Sequence, residues 1–109
     1  MSKESGRRGC AIKGTEPLRG ADIDRFSEVL KALANPARLH IVNILAGGER
    51  TVSELCEISG LKQSLVSQQL KILRLYNIVK FRKEVPRTYY SLKERNVIGM
   101  LRCLNKCRR

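Results

Sequence analysis

The stretch TVSELCEISGLKQSLVSQQLKILRL, residues 51–75, decides the fold. Thr51 and Glu54 have the spacing of a capping box, in which each side chain satisfies a backbone donor of the other residue. A short helix therefore runs from Val52 to about Ser59 and stops at Gly60. After a turn through Leu61 and Lys62, a second helix spans about Gln63 to Leu75. Its Val66, Leu70 and Leu73 form one apolar stripe at helical spacing, with Leu65 alongside. Ser64, Ser67, Gln68 and Lys71 form a separate stripe that is wholly polar. Helix, Gly-containing turn and helix with a polar outer face make a helix-turn-helix pattern.

Upstream, Ile23, Phe26, Val29, Leu30 and Leu33 recur at helical spacing, predicting an amphipathic helix from about Asp22 to Leu33. Asn35-Pro36 starts the next helix, with Asn35 as N-cap and Pro36 at the first helical position. That helix carries Leu39, Ile41, Val42, Ile44 and Leu45, apolar almost all round, and ends at Gly47-Gly48, so it is expected to be the buried spine. Downstream, Ile78-Val79-Lys80-Phe81-Arg82 alternates apolar and basic residues, Glu84-Val85-Pro86-Arg87 turns, and Thr88-Tyr89-Tyr90-Ser91 returns as a β-hairpin. Pro86 belongs in the turn, because inside a paired strand it would delete a ladder hydrogen bond. A last helix from about Lys93 to Cys107 shows Val97, Met100, Leu101 and Leu104 on one face. The reading is a mainly α domain with a β-hairpin, residues 21–109, preceded by a flexible polar and Gly-rich arm at residues 1–20.

The 109 residues are 42% hydrophobic, enough for one modest core but not for a second domain with a catalytic cleft. The formal net charge of +12 is unevenly placed. Residues 1–61 hold 9 basic and 8 acidic side chains, whereas residues 62–109 hold 13 basic and 2 acidic. The second half is therefore the part expected to meet a polyanion. No apolar run approaches the roughly 18–20 residues that span a bilayer, and the N-terminus lacks the pattern of a secretory signal. The expectation is a cytoplasmic protein with no membrane partner, whose Cys10, Cys56, Cys103 and Cys107 are reduced thiols rather than a disulfide framework.

Three segments carry a family resemblance. Leu30-Lys31-Ala32-Leu33-Ala34-Asn35-Pro36-Ala37-Arg38-Leu39 resembles the opening signature of the ArsR family of small repressors. Ser64-Leu65-Val66-Ser67-Gln68-Gln69-Leu70-Lys71-Ile72-Leu73 resembles its recognition helix, and Thr88-Tyr89-Tyr90-Ser91-Leu92 the end of its wing. The resemblance covers about Phe26 to Cys107 and implies a winged helix-turn-helix homodimer held by its first and last helices. It also implies repression of an operon, relieved when a metal ion or thiol-reactive species binds. Apolar stripes on those two helices, uncovered within so small a monomer, agree with a two-fold dimer.

On that footing Gln63, Ser64, Ser67, Gln68 and Lys71 are the expected major-groove contacts: Gln pairs with adenine, Ser with base or phosphate, and Lys with phosphate or guanine. Arg82, Lys83 and Arg87 are expected where the wing meets phosphates or the minor groove. The turn Glu84-Val85-Pro86 departs from the Gly-containing wing turn of many relatives.

Zinc-type sensors of the family set Asp and His on the last helix; here that helix has neither, and His40 is expected to be packed and hydrogen-bonded on the second helix. Ser53-Glu54-Leu55-Cys56 resembles the start of the family's cysteine metal box, but Ile58 stands where its second Cys would follow, leaving Cys56 either a ligand or a small buried hydrophobe. Cys103 and Cys107 are four apart on the last helix, hence neighbours on one face. Flanking Arg102, Lys106, Arg108 and Arg109 favour their thiolates. The expected inducer is a soft thiophilic species such as As(III) or Sb(III), with Cys56 and Cys10 as further ligands and no cofactor required. Persulfide or oxidant sensing is the alternative, although the second-helix Cys of persulfide-sensing relatives is replaced by Asn43. A cysteine-nucleophile enzyme lacks a partner His, Asp or Asn, and RNA binding would favour exposed stacking aromatics.

Overall fold

The computed structural model describes residues 17, 19–94 and 96–107, with the backbone alone at Asn105 and Cys107. The N-terminal arm expected at residues 1–20, and Cys10 within it, lies largely outside the described residues.

Eight elements follow in order: α1 (Gly20–Leu33), α2 (Pro36–Leu45), β1 (Arg50–Thr51), α3 (Val52–Ser59), α4 (Gln63–Leu75), β2 (Val79–Glu84), β3 (Arg87–Leu92) and α5 (Asn96–Cys107). Helix α1 begins two residues before the expected Asp22, without a side-chain cap. Helix α2 starts as expected: the Asn35 side chain accepts from the Ala37 and Arg38 amides at 2.9 and 3.2 Å, and Pro36 needs no amide partner. The capping box of α3 forms in both directions, with the Thr51 amide donating to Glu54 Oε1 at 2.9 Å and the Glu54 amide to Thr51 Oγ1 at 3.2 Å. Gly60 then ends the helix at φ 78, a left-handed conformation that a Cβ would disfavour. Helix α5 starts at Asn96 rather than Lys93, because the Lys93 and Glu94 amides are drawn to the Ile78 carbonyl.

The sheet has three strands in the order β1-β3-β2. β2 and β3 pair antiparallel from Val79↔Leu92 to Glu84↔Arg87, so Val85 and Pro86 alone make the turn. β1 was not expected. Arg50 and Thr51 pair with Tyr90 and Tyr89, tying the hairpin to the start of α3.

Ile41, Val42 and Leu45 of α2 sit at the centre of the core with Leu55, Val66, Leu70, Leu73, Ile78, Leu92 and Val97, all at 2% exposure or less. The core thus clamps α4 by its apolar stripe and leaves its polar stripe outside. One expectation needs correction here. His40 is exposed rather than packed, since it falls with Asn43 on the one side of α2 that the core does not reach. The apolar stripes expected to lie uncovered on α1 and α5 do so: Ile23, Phe26, Leu30 and Leu104 stay 37–58% exposed.

Candidate nucleic-acid interface

The five α4 residues expected to read bases, Gln63, Ser64, Ser67, Gln68 and Lys71, are all exposed. None of their side chains makes a hydrogen bond or ion pair within the described residues. Val66, Leu70 and Leu73, each at 0–1% exposure, fix the rotation of α4 about its axis and so fix which side chains face outward. One polar residue of α4 points the other way. Gln69 is 7% exposed, and its Oε1 accepts from Arg38 Nη1 at 2.8 Å. Arg38 Nε also donates to the Ala32 carbonyl, so one guanidinium joins the end of α1, the start of α2 and the middle of α4. This link carried no signal in the sequence, because Arg38 and Gln69 lie 31 residues apart.

The hairpin presents Lys83 and Arg87 exposed beside its two-residue turn, with no side-chain ion pair among the described residues. Arg82 differs. Its Nε and Nη2 donate to Glu49 Oε2 and Oε1 at 2.8 and 3.0 Å, a two-pronged pairing across 33 residues of chain. Its Nη1 donates to Glu84 Oε1 at 3.0 Å, and its Cζ lies 4.6 Å from the Tyr89 ring centroid. The Arg82 hydrogen bonds hold the Glu49 carboxyl below the ordinary carboxylate range, and the two carboxylates raise the Arg82 guanidinium further. Glu49 carried no sequence signal, because it lies in a loop far from the hairpin. Arg74, one turn beyond Lys71 on the same stripe, was legible but overlooked; it sits 4.4 Å over the Phe81 ring and joins α4 to β2.

Cys56 is a free thiol, half-buried against the core, in keeping with its use as a small hydrophobe. Cys103 is half-buried on α5 and disulfide-bonded, which corrects the expectation that the thiols are all reduced. Cys107 closes α5, and its side chain lies outside the description, as does Cys10. Among the described residues no group of three or more His, Cys, Asp and Glu side chains is placed to hold a metal ion. Within those residues no helix is long and apolar enough to cross a membrane.

Residues 35–80, from the cap of α2 into β2, match the model of the bacterial regulatory protein, arsR family. The transcriptional repressor SmtB homolog of a Synechocystis species is 37% identical over 72% of this chain, which spans 59% of that protein's length. The solved structure of HlyU from Vibrio cholerae N16961 superposes with a TM-score of 0.75 at 34% identity, covering 81% of this chain and 96% of that one. Another structure of that protein, described as reduced HlyU, gives a TM-score of 0.73, with 81% of this chain and 95% of that one covered. A homodimeric winged helix-turn-helix DNA-binding domain from Mycobacterium bovis gives 0.66 at 32% identity, covering 87% of each chain. The likeness is to regulators of transcription, not to enzymes.

Proposed function

The chain belongs to the arsR family of bacterial regulatory proteins, and from that premise we propose that it is a transcriptional repressor that grips operator DNA as a homodimer. The observation that carries the reading is the α4 face: five exposed polar side chains without partners among the described residues, on a helix whose rotation is locked by the core. Such a face suits the major groove, with Gln68 and Gln63 toward adenine and Lys71 toward guanine or phosphate. Lys83 and Arg87 supply phosphate contacts from the wing. Pairing Ile23, Phe26 and Leu30 of α1 with Leu104 of α5 across a two-fold axis would cover the exposed apolar surface, and the homodimeric state of the similar Mycobacterium bovis domain supports a homodimer here. Two α4 helices about one DNA turn apart, ~34 Å, then read a two-fold symmetric site.

Release works through the thiols of α5. As(III) or Sb(III) binding requires Cys103 as a thiolate, so this branch operates on the reduced protein. A second reading, oxidation or reactive-sulfur modification, is favoured by the disulfide in which Cys103 is held. To free the operator, the inducer must bind the low-affinity dimer more tightly than the DNA-competent one, typically by ~1–3 kcal/mol.

The test selects a binding site from a random duplex pool. It then follows release by arsenite after reduction, by a persulfide donor and by peroxide, in the native chain and in Cys103→Ser. A selected two-fold site whose release by one of these depends on Cys103 supports the reading. Failure to enrich any duplex overturns DNA recognition, and unaltered release from Cys103→Ser overturns the α5 thiol switch.

A further inference from the structure

Arg82 has the sequence position of a phosphate contact and the surroundings of a structural latch. Three of its five N–H donors are engaged by carboxylates, and one face of its guanidinium lies on Tyr89. One cation between Glu49 and Glu84 leaves the trio with a net charge of about −1 at neutral pH, since both acids are ionised there. A phosphate approaching Arg82 would have to displace a two-pronged carboxylate and then sit beside two acids. Glu49 belongs to the turn between α2 and β1, immediately before the strand that pairs with β3. Arg82 and Tyr89 are directly cross-strand partners in the hairpin. The pairing therefore fastens the wing to the turn that leads into the helix-turn-helix.

We propose that Arg82 is a positioning residue that latches the wing to Glu49, not a phosphate contact. The proposal rests on the DNA-binding reading above for its effect on affinity, but the latch itself is a property of the free protein. Its role is to lower the ordering cost of docking: a hairpin already held at its working angle loses less freedom when Lys83 and Arg87 engage the backbone.

The chemistry of the two side chains gives opposite signs for latch and phosphate contact. Removing an acid from a DNA-facing surface ordinarily strengthens binding, because a repulsion is removed. Glu49→Gln should instead weaken operator binding, on the order of 5-fold, because the wing is released. Arg82→Lys is the second discriminator. Lysine binds phosphate well as a point charge but cannot reproduce the planar fork on a carboxylate. It should therefore behave like Arg82→Gln, and neither should reduce the log–log salt slope by the ~0.9 expected for a lost phosphate contact. Lys83→Ala provides that slope change as the internal standard.

In the free protein, Glu49→Gln should speed hydrogen exchange of the β2 and β3 amides several-fold while leaving α4 protection unchanged. That arm uses no DNA, so it separates failure of the latch from failure of the DNA reading. Tighter or unchanged operator binding by Glu49→Gln, near-native binding by Arg82→Lys, or unaltered hairpin exchange would each overturn the proposal.

Discussion

On α4, Ser64, Gln68 and Lys71 stand exposed with no partner in the described fold, whereas in the wing Arg82 commits three donors to Glu49 and Glu84. Both regions looked alike as sequence, each a run of polar and basic residues on one side of an amphipathic element. The core treats them differently. Helix α4 is fixed from beneath by Val66, Leu70 and Leu73, so its outer side chains need do nothing for the fold. The hairpin has little beneath it, since only Val79 of β2 and Leu92 of β3 are buried, and its exposed side chains must help to hold it. A polar residue over a deep core is free to recognise a ligand; one on a thin projection is recruited for structure.

The largest expected effect would break that contrast outright. Replacing Ser64, Gln68 and Lys71 together with Ala should cut operator preference over random duplex by roughly 10³-fold, close to non-specific binding. Fluorescence anisotropy against both duplexes measures it, and preference that survives would move specificity from α4 to the wing. Next in size is the dimer. Leu30→Glu with Leu104→Glu should give a monomer by sedimentation and weaken operator binding on the order of 10²-fold, because two linked reading heads become separate ones.

A smaller effect sharpens the comparison inside α4 itself. Arg38→Met leaves the Gln69 amide buried without its donor and should lower unfolding free energy by about 1–3 kcal/mol in urea titration. Adding Gln69→Leu should recover most of the loss, because both polar partners are then gone. The smallest effect is in the wing and depends on pH. The folded Glu49 titrates below its unfolded value, so the latch's contribution is complete above the unfolded value and is lost as pH falls through the folded one. Lys80 assists by its charge, and Glu84 shares the same guanidinium. Hairpin amide protection should therefore persist at pH 4.5, the ordinary value for such a carboxyl, and fade below it.

Much of the fold was legible because its signals are local. The α3 capping box, the Asn35 cap, the Gly60 stop and the limits of α4 each depend on residues within one or two turns, and each stands as read. Pro86, which has no amide to offer a ladder, marked the hairpin turn, but the reading put Glu84 and Arg87 in that turn as well, and the structure pairs them as the last rung of the ladder. β1 was illegible because two residues gain a strand's hydrogen bonds only when a distant β3 arrives beside them. His40 was misjudged because hydropathy counts the apolar residues of α2 without saying that Pro36, His40 and Asn43 line its one uncovered side.

The sequence by itself determined which segments are helices, where α3 and α4 start and stop, which stripe of α4 is apolar, and that the cationic half is the second. Those properties follow from backbone capping, side-chain periodicity and composition, all of which act over short distances along the chain. Only the tertiary structure decided how each charged or thiol group is used. Glu49 meets Arg82 across 33 residues, Arg38 meets Gln69 across 31, and Cys103 enters a disulfide rather than standing as a thiol. A side chain's chemistry is set by what lies within a few ångströms of it, and for the Glu49–Arg82 and Arg38–Gln69 pairs the neighbours come from parts of the chain that only folding brings together.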